Sequence, residues 1–422
     1  MNAIIISIGD ELTSGLTMNS NAAWLGRQLT ELGISCQLQL TIGDNQSAIA
    51  AAIRQSITQC DILLISGGLG PTEDDLTRRA VAEALGEPLV MDQVALGDLE
   101  AFFRRINRTM TENNRLQAMR PLSASCVKNS CGTAPGIMVR LSNTQIFVMP
   151  GVPKEMKAMF EQSYKPLLQA AAGNVVRRIM ALNICGAGES WIGSRIADLM
   201  KRGANPSVGT TVHDGIVSVR IYATGNPAEA GAMIEAMANT VRHRLGELIF
   251  SADQVALETV VVQALLSQES TVTTAESCTG GWIAMMLTNV PGSSACFKRG
   301  WITYSDESKS ADIGVDPEVI TKYGAVSREV AAAMAQQARS RAEAHWAIAV
   351  TGNAGPVSDD PKNPVGLVYI GIAGPKGPGD IYVRNCQFSG DRQSIRLRSS
   401  QMALTLLRLK LLDLDPEAVL PP

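Results

Sequence analysis

Two sets of side chains in this sequence have the types and spacing that chemistry needs. The first is Thr274-Ala275-Glu276-Ser277-Cys278-Thr279-Gly280-Gly281, which follows a short strand-like run and precedes a helical pattern over Trp282–Thr288. A serine at a strand-to-helix turn points its hydroxyl into a site, and the N–H groups after it face a developing oxyanion. A serine hydroxyl is a weak nucleophile and needs a base. None of the three histidines is placed by a motif to serve. His345 reads as a packed residue at a helix end, and His213, in GTTVHDG, as a hydrogen-bonding loop residue. The remaining base is Lys309, in Thr303-Tyr304-Ser305-Asp306-Glu307-Ser308-Lys309. A lysine titrates near about 10.4 in water, so it acts at neutral pH only when desolvated or set beside another cation. Tyr304 and Thr351 (in AVTGNAGP) are the residues to relay protons or orient such a pair. In an arbitrary protein the commoner readings are a helix N-cap for Ser277 and a solvated cation for Lys309. Cys278 is a rival nucleophile by adjacency.

The second set is acidic. Gly9-Asp10-Glu11 and Ser66-Gly67-Gly68-Leu69-Gly70-Pro71-Thr72-Glu73-Asp74-Asp75-Leu76-Thr77 both follow strand-like runs. Glycines let backbone N–H groups approach an anion, and Thr72 or Thr77 adds a hydroxyl. Adjacent acids repel a phosphate unless a divalent cation lies between them and a diphosphate. A glycine-rich turn leading into an acidic helix N-terminus fits the same residues equally well.

The elements that must hold these sets follow from periodicity. Ala3–Ile8, Ile34–Leu40, Asp61–Ile65 and Gln145–Met149 read as buried strands. Helices over Ala22–Leu32, Ser47–Thr58, Thr77–Leu85 and from Lys154 alternate with them, predicting a parallel α/β sheet covered on both faces. The spans Val175–Cys185, Glu189–Met200, Ile216–Ala223 and Ala228–Leu245 read β-α-β-α, a small α+β unit. A helix over Asp253–Ser267 opens a third unit with strands at Thr271–Thr274, Ala347–Val350, Leu367–Ala373 and Ile381–Phe388. The tail LDLDPEAVLPP reads as frayed.

Composition bounds the function classes. The 422 residues are 45% hydrophobic and 18% charged, which suits several domains with real cores and excludes disorder as the main state. Lys+Arg 37 against Asp+Glu 40 gives −3, with no basic excess for nucleic-acid binding, and 4% aromatics gives little for base stacking. The eight cysteines are scattered with no C-x-x-C pair, as expected of buried thiols in a reducing cytoplasm. No apolar stretch reaches the roughly 18 residues of a membrane span.

The ordered motifs carry a resemblance. GDELTSG, TIGDN, SGGLGPTEDDLTRRA, GTAPG and MPGVPKEM resemble the molybdopterin-binding-type domain of the CinA (competence/damage-inducible) family. ICGAGES and VSVRIYATG resemble that family's small KH-like domain. TAESCTGG, LTNVPGSS, YSDESK, GAVSREVAAAMA, TGNAGP, PVG and GDRQSIRLRSSQMAL resemble its C-terminal nicotinamide mononucleotide deamidase domain. The resemblance implies a multidomain α/β chain: residues 1–168 molybdopterin-binding-like, 169–252 KH-like α+β, and 253–415 deamidase.

The activity it implies is hydrolysis of nicotinamide mononucleotide to nicotinate mononucleotide and ammonia, with no metal. Ser277 carries over as nucleophile and Lys309 as general base, supported by Tyr304 and Thr351. Cys278, Thr279 and Gly280 would hold the oxyanion side; Gly352, Gly355, Arg392 and Arg396 would meet the 5′-phosphate. For the N-terminal domain it implies an ADP-ribose pyrophosphatase at Gly67, Gly68, Gly70, Thr72, Asp74 and Asp75, with Mg²⁺ or Co²⁺ on Asp10, Glu11, Asp44 and Asp75. A cytoplasmic homodimer binding neither nucleic acid nor membrane completes the expectation. The chain departs from the family pattern at Asn19 (usually Asp), Arg299 (Gly), Asp306 (Asn), Asn353 (Ile) and Asn363 (Lys). The competing readings are a non-catalytic nucleotide-binding or competence-related protein and a molybdopterin-type transferase. Against the latter, Asp74 stands where those enzymes carry an arginine.

Overall fold

The computed structural model describes residues 1–173, 175–358 and 361–421. It divides into two units: Met1–Arg178 with Ala223–Met233, and Ile179–Tyr222 with Ile234–Pro422.

In the first unit a six-stranded sheet runs in the order Ser35–Ile42, Asn2–Ile8, Ile62–Ser66, Thr144–Met149, Gly136–Leu141, Ser125–Val127. The first four strands are parallel, as their predicted βαβ connections require. Gly136–Leu141 pairs antiparallel with both of its neighbours, so the sheet is mixed and not wholly parallel as expected. The central strands are apolar on both sides because both faces are covered. One core gathers Ile4, Ile6, Leu63 and Ile65 against Ile49, Ile53 and Val81. The other gathers Ile5, Leu64 and Phe147 against Leu25, Leu29 and Phe160.

The KH-like segment carries a four-stranded sheet, in the order Ser207–His213, Ile216–Gly225, Val176–Ile184, Ile249–Ala252. Its outer strands escaped the periodicity reading. His213 ends the first of them, exposed, with Nδ1 3.4 Å from Asp214.

In the second unit a five-stranded sheet runs Phe297–Ile302, Val272–Glu276, Trp346–Gly352, Leu367–Ala373, Ile381–Gln387. The first three are parallel, and Leu367–Ala373 pairs antiparallel with both of its neighbours. Helix Arg392–Leu411 is buried on every side from Ser399 to Leu409, so no polar face marks it in the sequence. The tail is not frayed. Pro416–Val419 forms a helical turn, Leu420 is buried, and Glu417 accepts from Tyr382 at 2.6 Å and Arg384 at 3.3 Å. His345 is exposed and not packed; its Nδ1 lies 3.0 Å from both Thr271 N and Thr271 Oγ1. Among the described residues no helix is long and apolar enough to cross a membrane.

Candidate active site

Three parallel strands end together and deliver three side chains to one place. Register pairs Glu276 with Ile302 on one side and with Val350 on the other. Ser277 N–H extends the ladder to Val350 O at 3.0 Å, and Thr303 N–H reaches Glu276 O at 2.8 Å. The residues just past the strand ends are therefore Ser277 and Tyr304, beside Thr351. Such carboxyl ends are where open α/β sheets place ligands. A fourth element, helix Asp306–Ile313, is capped by Ser305 and brings Lys309 in on its first turn.

These residues line one cavity of about 330 Å³, with Cys278, Asp306, Gly352, Asn353, Asn363 and Arg392 among its other walls. The Lys309 side chain is 2% exposed. Its Nζ donates to Asp306 Oδ1 at 3.2 Å and Ser305 O at 3.4 Å. No hydrogen bond joins it to Ser277, whose hydroxyl is bonded to no described residue. Tyr304 OH accepts from Arg392 Nη2 at 2.8 Å, and Thr351 Oγ1 donates to Ala325 O at 2.7 Å.

The serine turn is braced from both sides. Glu276, fully buried, accepts from Ile283 N at 3.1 Å and Ala284 N at 2.9 Å, pinning the first turn of helix Trp282–Thr288 to the strand end. Arg396 donates to Cys278 O at 3.1 Å and Thr279 O at 2.9 Å and lies over the Trp282 ring. Its guanidinium thus serves the turn and does not line the cavity. Gly280 N–H is given to Ser277 O, and among the described residues no carbonyl or carboxylate accepts the N–H groups of Cys278 and Thr279. Thr279 is buried with its hydroxyl unpaired. Burial pushes the Cys278 thiol up to about 12, which keeps it protonated and a poor nucleophile.

On the far wall, Asn353 Oδ1 accepts from Gly355 N at 2.8 Å, and Asn353 N is given to Leu367 O. The Gly355 N–H expected to meet a phosphate is therefore already paired, as is that of its neighbour Asn353. Gly352 leaves no room for a side chain: a Cβ would lie 2.7 Å from Leu367 O. Gly355 contributes its carbonyl to Arg392 Nη1 at 2.6 Å. Of the positions that depart from the family pattern, Asp306, Asn353 and Asn363 face this cavity. Arg299 lies outside it, near the Trp301 ring.

The N-terminal loops behave differently. Asp75 is drawn into its own loop, accepting from Gly70 N at 2.7 Å, Thr72 N at 2.8 Å and the Thr72 hydroxyl. Asp10 and Asp44 each accept the other's backbone N–H at 2.9 Å. Asn19 caps helix Ser20–Glu31 through Ala22 N. Gly67 and Gly68 have positive φ, and Gly68 packs on Thr77, which donates to Gly67 O at 2.8 Å. Asp74 is exposed and held below the usual carboxylate range, chiefly by the Thr72 hydroxyl. Among the described residues no three carboxylate, imidazole or thiol groups are gathered to hold a metal ion. The expected set Asp10, Glu11, Asp44 and Asp75 therefore does not fit a divalent cation, because Asp75 is turned inward and two of the others are interlocked. The cleft here, lined by Glu11, Asn19, Asn21, Ser66 and Gly151, holds about 100 Å³.

A larger cavity of about 530 Å³, between helix Gln93–Arg105 and segment Ser125–Pro135, contains none of the expected residues. Two of its cations are already paired, Arg120 with Asp92 and Lys128 with Asp98. Neither Glu276 nor the clamping role of Arg396 was read from sequence. A carboxylate among buried strand residues just ahead of a helix was the one available signal for Glu276.

Comparison with known proteins matches three family models along the chain. Residues 4–170 match the probable molybdopterin binding domain, 180–251 the damage-inducible protein CinA KH domain, and 254–411 the CinA C-terminal domain. A competence-damage inducible protein of Clostridium beijerinckii is 38% identical over 97% of this chain and 99% of its own length. One from Halothermothrix orenii is 40% identical over 96% and 98%. Among solved structures, CinA from Thermoplasma acidophilum is 33% identical, covering 39% of this chain and 97% of its own, with a TM-score of 0.37. A competence/damage-inducible protein from Agrobacterium tumefaciens is 38% identical, covering 37% and 93%, with a TM-score of 0.35. With near full-length relatives at this identity, and its three family domains in order along the sequence, the chain belongs to the CinA family of competence/damage-inducible proteins.

Proposed function

We propose that the C-terminal domain is a serine/lysine amidohydrolase that converts nicotinamide mononucleotide to nicotinate mononucleotide and ammonia. One observation carries this reading: a serine hydroxyl bonded to no described residue and a buried lysine line the same cavity, with Tyr304 and Thr351 beside them. A volume of about 330 Å³ lies in the range of small-molecule sites.

In the proposed reaction the uncharged Lys309 amine takes the Ser277 proton as Oγ bonds to the carboxamide carbon. The N–H groups of Cys278 and Thr279 stabilise the oxyanion. Lys309 returns the proton to the amide nitrogen as the C–N bond breaks and ammonia leaves. Water then adds to the acyl carbon and gives a proton to Lys309. The ester bond breaks, and that proton restores the Ser277 hydroxyl. Arg392, at the cavity wall, is the cation available to the 5′-phosphate. No metal takes part in this scheme.

For the N-terminal domain we derive no pyrophosphatase step, because its acidic residues do not fit the ion that step would need. The test of the main reading is ammonia release from the mononucleotide in metal-free buffer by wild type and Ser277→Ala. Turnover by wild type that Ser277→Ala abolishes supports it. Absence of turnover in wild type favours the non-catalytic nucleotide-binding alternative.

A further inference from the structure

The peptide units that follow Ser277 are set by one side chain from a distant helix. In a planar trans peptide the carbonyl of one residue and the N–H of the next point in opposite directions. Arg396 Nε donates to Cys278 O at 3.1 Å, so the Thr279 N–H is turned away from the guanidinium. Arg396 Nη2 donates to Thr279 O at 2.9 Å, so the Gly280 N–H is turned away as well, and it is found on Ser277 O at 3.0 Å. A planar fork that grips two successive carbonyls thus fixes two successive N–H directions. The fork is itself held. It lies over the Trp282 ring, 5.2 Å from the centroid, and its helix, Arg392–Leu411, is anchored by the buried run from Ser399 to Leu409. Gly280 has a φ of +59°, and a Cβ there would stand 3.1 Å from Arg396 Nη2, so the close approach of the fork relies on a glycine. One turn earlier on the same helix, Arg392 lines the cavity and donates to Gly355 O on its far wall, whereas Arg396 does not line the cavity. The two arginines therefore act on different parts of the site.

We infer that Arg396 is a positioning residue for the oxyanion: it keeps the Cys278–Thr279 peptide from turning over, so that Thr279 presents its N–H, and not Cys278 its carbonyl oxygen, to the charge that develops when Ser277 attacks. The inference rests on the serine/lysine reading above. Turned over, this unit puts the negative end of its dipole where the donor stood. Removing one oxyanion donor costs about 10²–10³ in kcat. Arg396→Met keeps the stem and removes the fork. The peptide is then freed and not deleted, so kcat should fall by about 10–10²-fold. Binding of the substrate itself should change little, because the oxyanion does not exist in the bound ground state. Arg396→Lys keeps the charge without the planar fork and should show the same pattern at smaller size.

Two readouts separate this inference from the substrate reading. The first is kcat for ammonia release from nicotinamide mononucleotide by wild type, Arg396→Met and Arg396→Lys. It is set beside the affinity and stoichiometry of mononucleotide binding, measured by calorimetry with each residue at 396 in a Ser277→Ala background. Stoichiometry counts the folded sites, and Arg396→Lys serves where Arg396→Met does not fold. The second readout, at one pH, is the rate of Ser277 sulfonylation by a small sulfonyl fluoride, followed by mass spectrometry of the full chain, with a melting curve to confirm folding. It also loads charge onto oxygens beside Ser277 but needs no amide. We expect kcat and the labelling rate to fall together while the affinity per folded site stays within about twofold of wild type. If labelling slows in the variants but wild type releases no ammonia, the role of Arg396 stands and the substrate assignment fails. The inference is overturned if either measurable rate in the folded variant stays at the wild-type level, or if affinity falls as far as kcat. It is equally overturned if wild type neither releases ammonia nor is labelled at Ser277.

Discussion

The two loop systems at the ends of parallel strands are built from similar parts: a short buried strand, a glycine-containing turn, hydroxyls and carboxylates. They differ in where the polar atoms are spent. At the N-terminal loops the carboxylates close on their own backbone, Asp75 on Gly70 and Thr72, and Asp10 and Asp44 on each other. At the C-terminal site the bracing is delegated to Glu276 and Arg396, which leaves the Ser277 hydroxyl unspent. Chemistry needs polar groups that are held in place by others and not by their own bonds. By that measure the C-terminal turn keeps the Ser277 hydroxyl unbonded by any described residue, while the carboxylates Asp10, Asp44 and Asp75 brace their own loops.

The largest expected effects fall on the C-terminal side of this contrast. If the proposed reaction uses Lys309 as its base, replacing it by alanine should lower kcat for ammonia release by about 10²–10⁴-fold. Steady-state kinetics in metal-free buffer measures this, and normal turnover in that variant would dissolve the contrast. Next comes Glu276→Ala, which orphans two backbone N–H groups at a buried helix start. At about 1–3 kcal/mol for each unsatisfied group, the C-terminal unit should lose about 3 kcal/mol and melt roughly 6–12 °C lower. Calorimetry would show it, and Glu276→Gln, which keeps one acceptor oxygen, should recover part of the loss.

The legible part of this architecture was what depends on nearby residues. The parallel strands and the strand–turn–helix around Ser277 follow from local periodicity, and Lys309 from the lack of a suitable histidine. What was missed depends on distant partners or on full burial. Arg396 finds its carbonyls 117 and 118 residues away. Helix Arg392–Leu411 shows no polar stripe over its buried half, and the tail is ordered by Tyr382 and Arg384 on a remote strand. The acidic loops read as a metal site because composition records carboxylates but not the N–H groups that occupy them.

Asp75→Ala sharpens the N-terminal half of the comparison. If the carboxylate is structural, its loss frees Gly70 N, Thr72 N and the Thr72 hydroxyl and costs about 1–2 kcal/mol, lowering the N-terminal transition by a few degrees. That loss should be the same with and without Mg²⁺ or Co²⁺. A variant that melts like wild type yet no longer forms AMP from ADP-ribose would instead make Asp75 a ligand.

The smallest effect discriminates most finely. Burial, and then the facing charges of Asp10, Glu11 and Asp74, hold the Asp44 carboxyl above the usual carboxylate range, although the Asp10 N–H pulls it down. A carboxyl raised on folding binds its proton more tightly in the folded state, so its ionised form destabilises the fold at neutral pH. That deficit fades as pH falls through the raised value toward the unfolded one. Asp44→Asn keeps an oxygen for Asp10 N–H and removes the charge. It should therefore stabilise the N-terminal unit by up to about 0.5 kcal/mol, or about 1–2 °C, at pH 7, and by progressively less as the pH falls through the raised value of the Asp44 carboxyl. A divalent ion bound among these acids would reverse the sign, because the charge would then be favourable. Mg²⁺ would raise the melting temperature of wild type, and the asparagine variant would melt lower than the metal-loaded protein. A gain in Asp44→Asn, together with a wild-type melting temperature that ignores the metal, places the repulsion among the acids themselves, with no ion to relieve it.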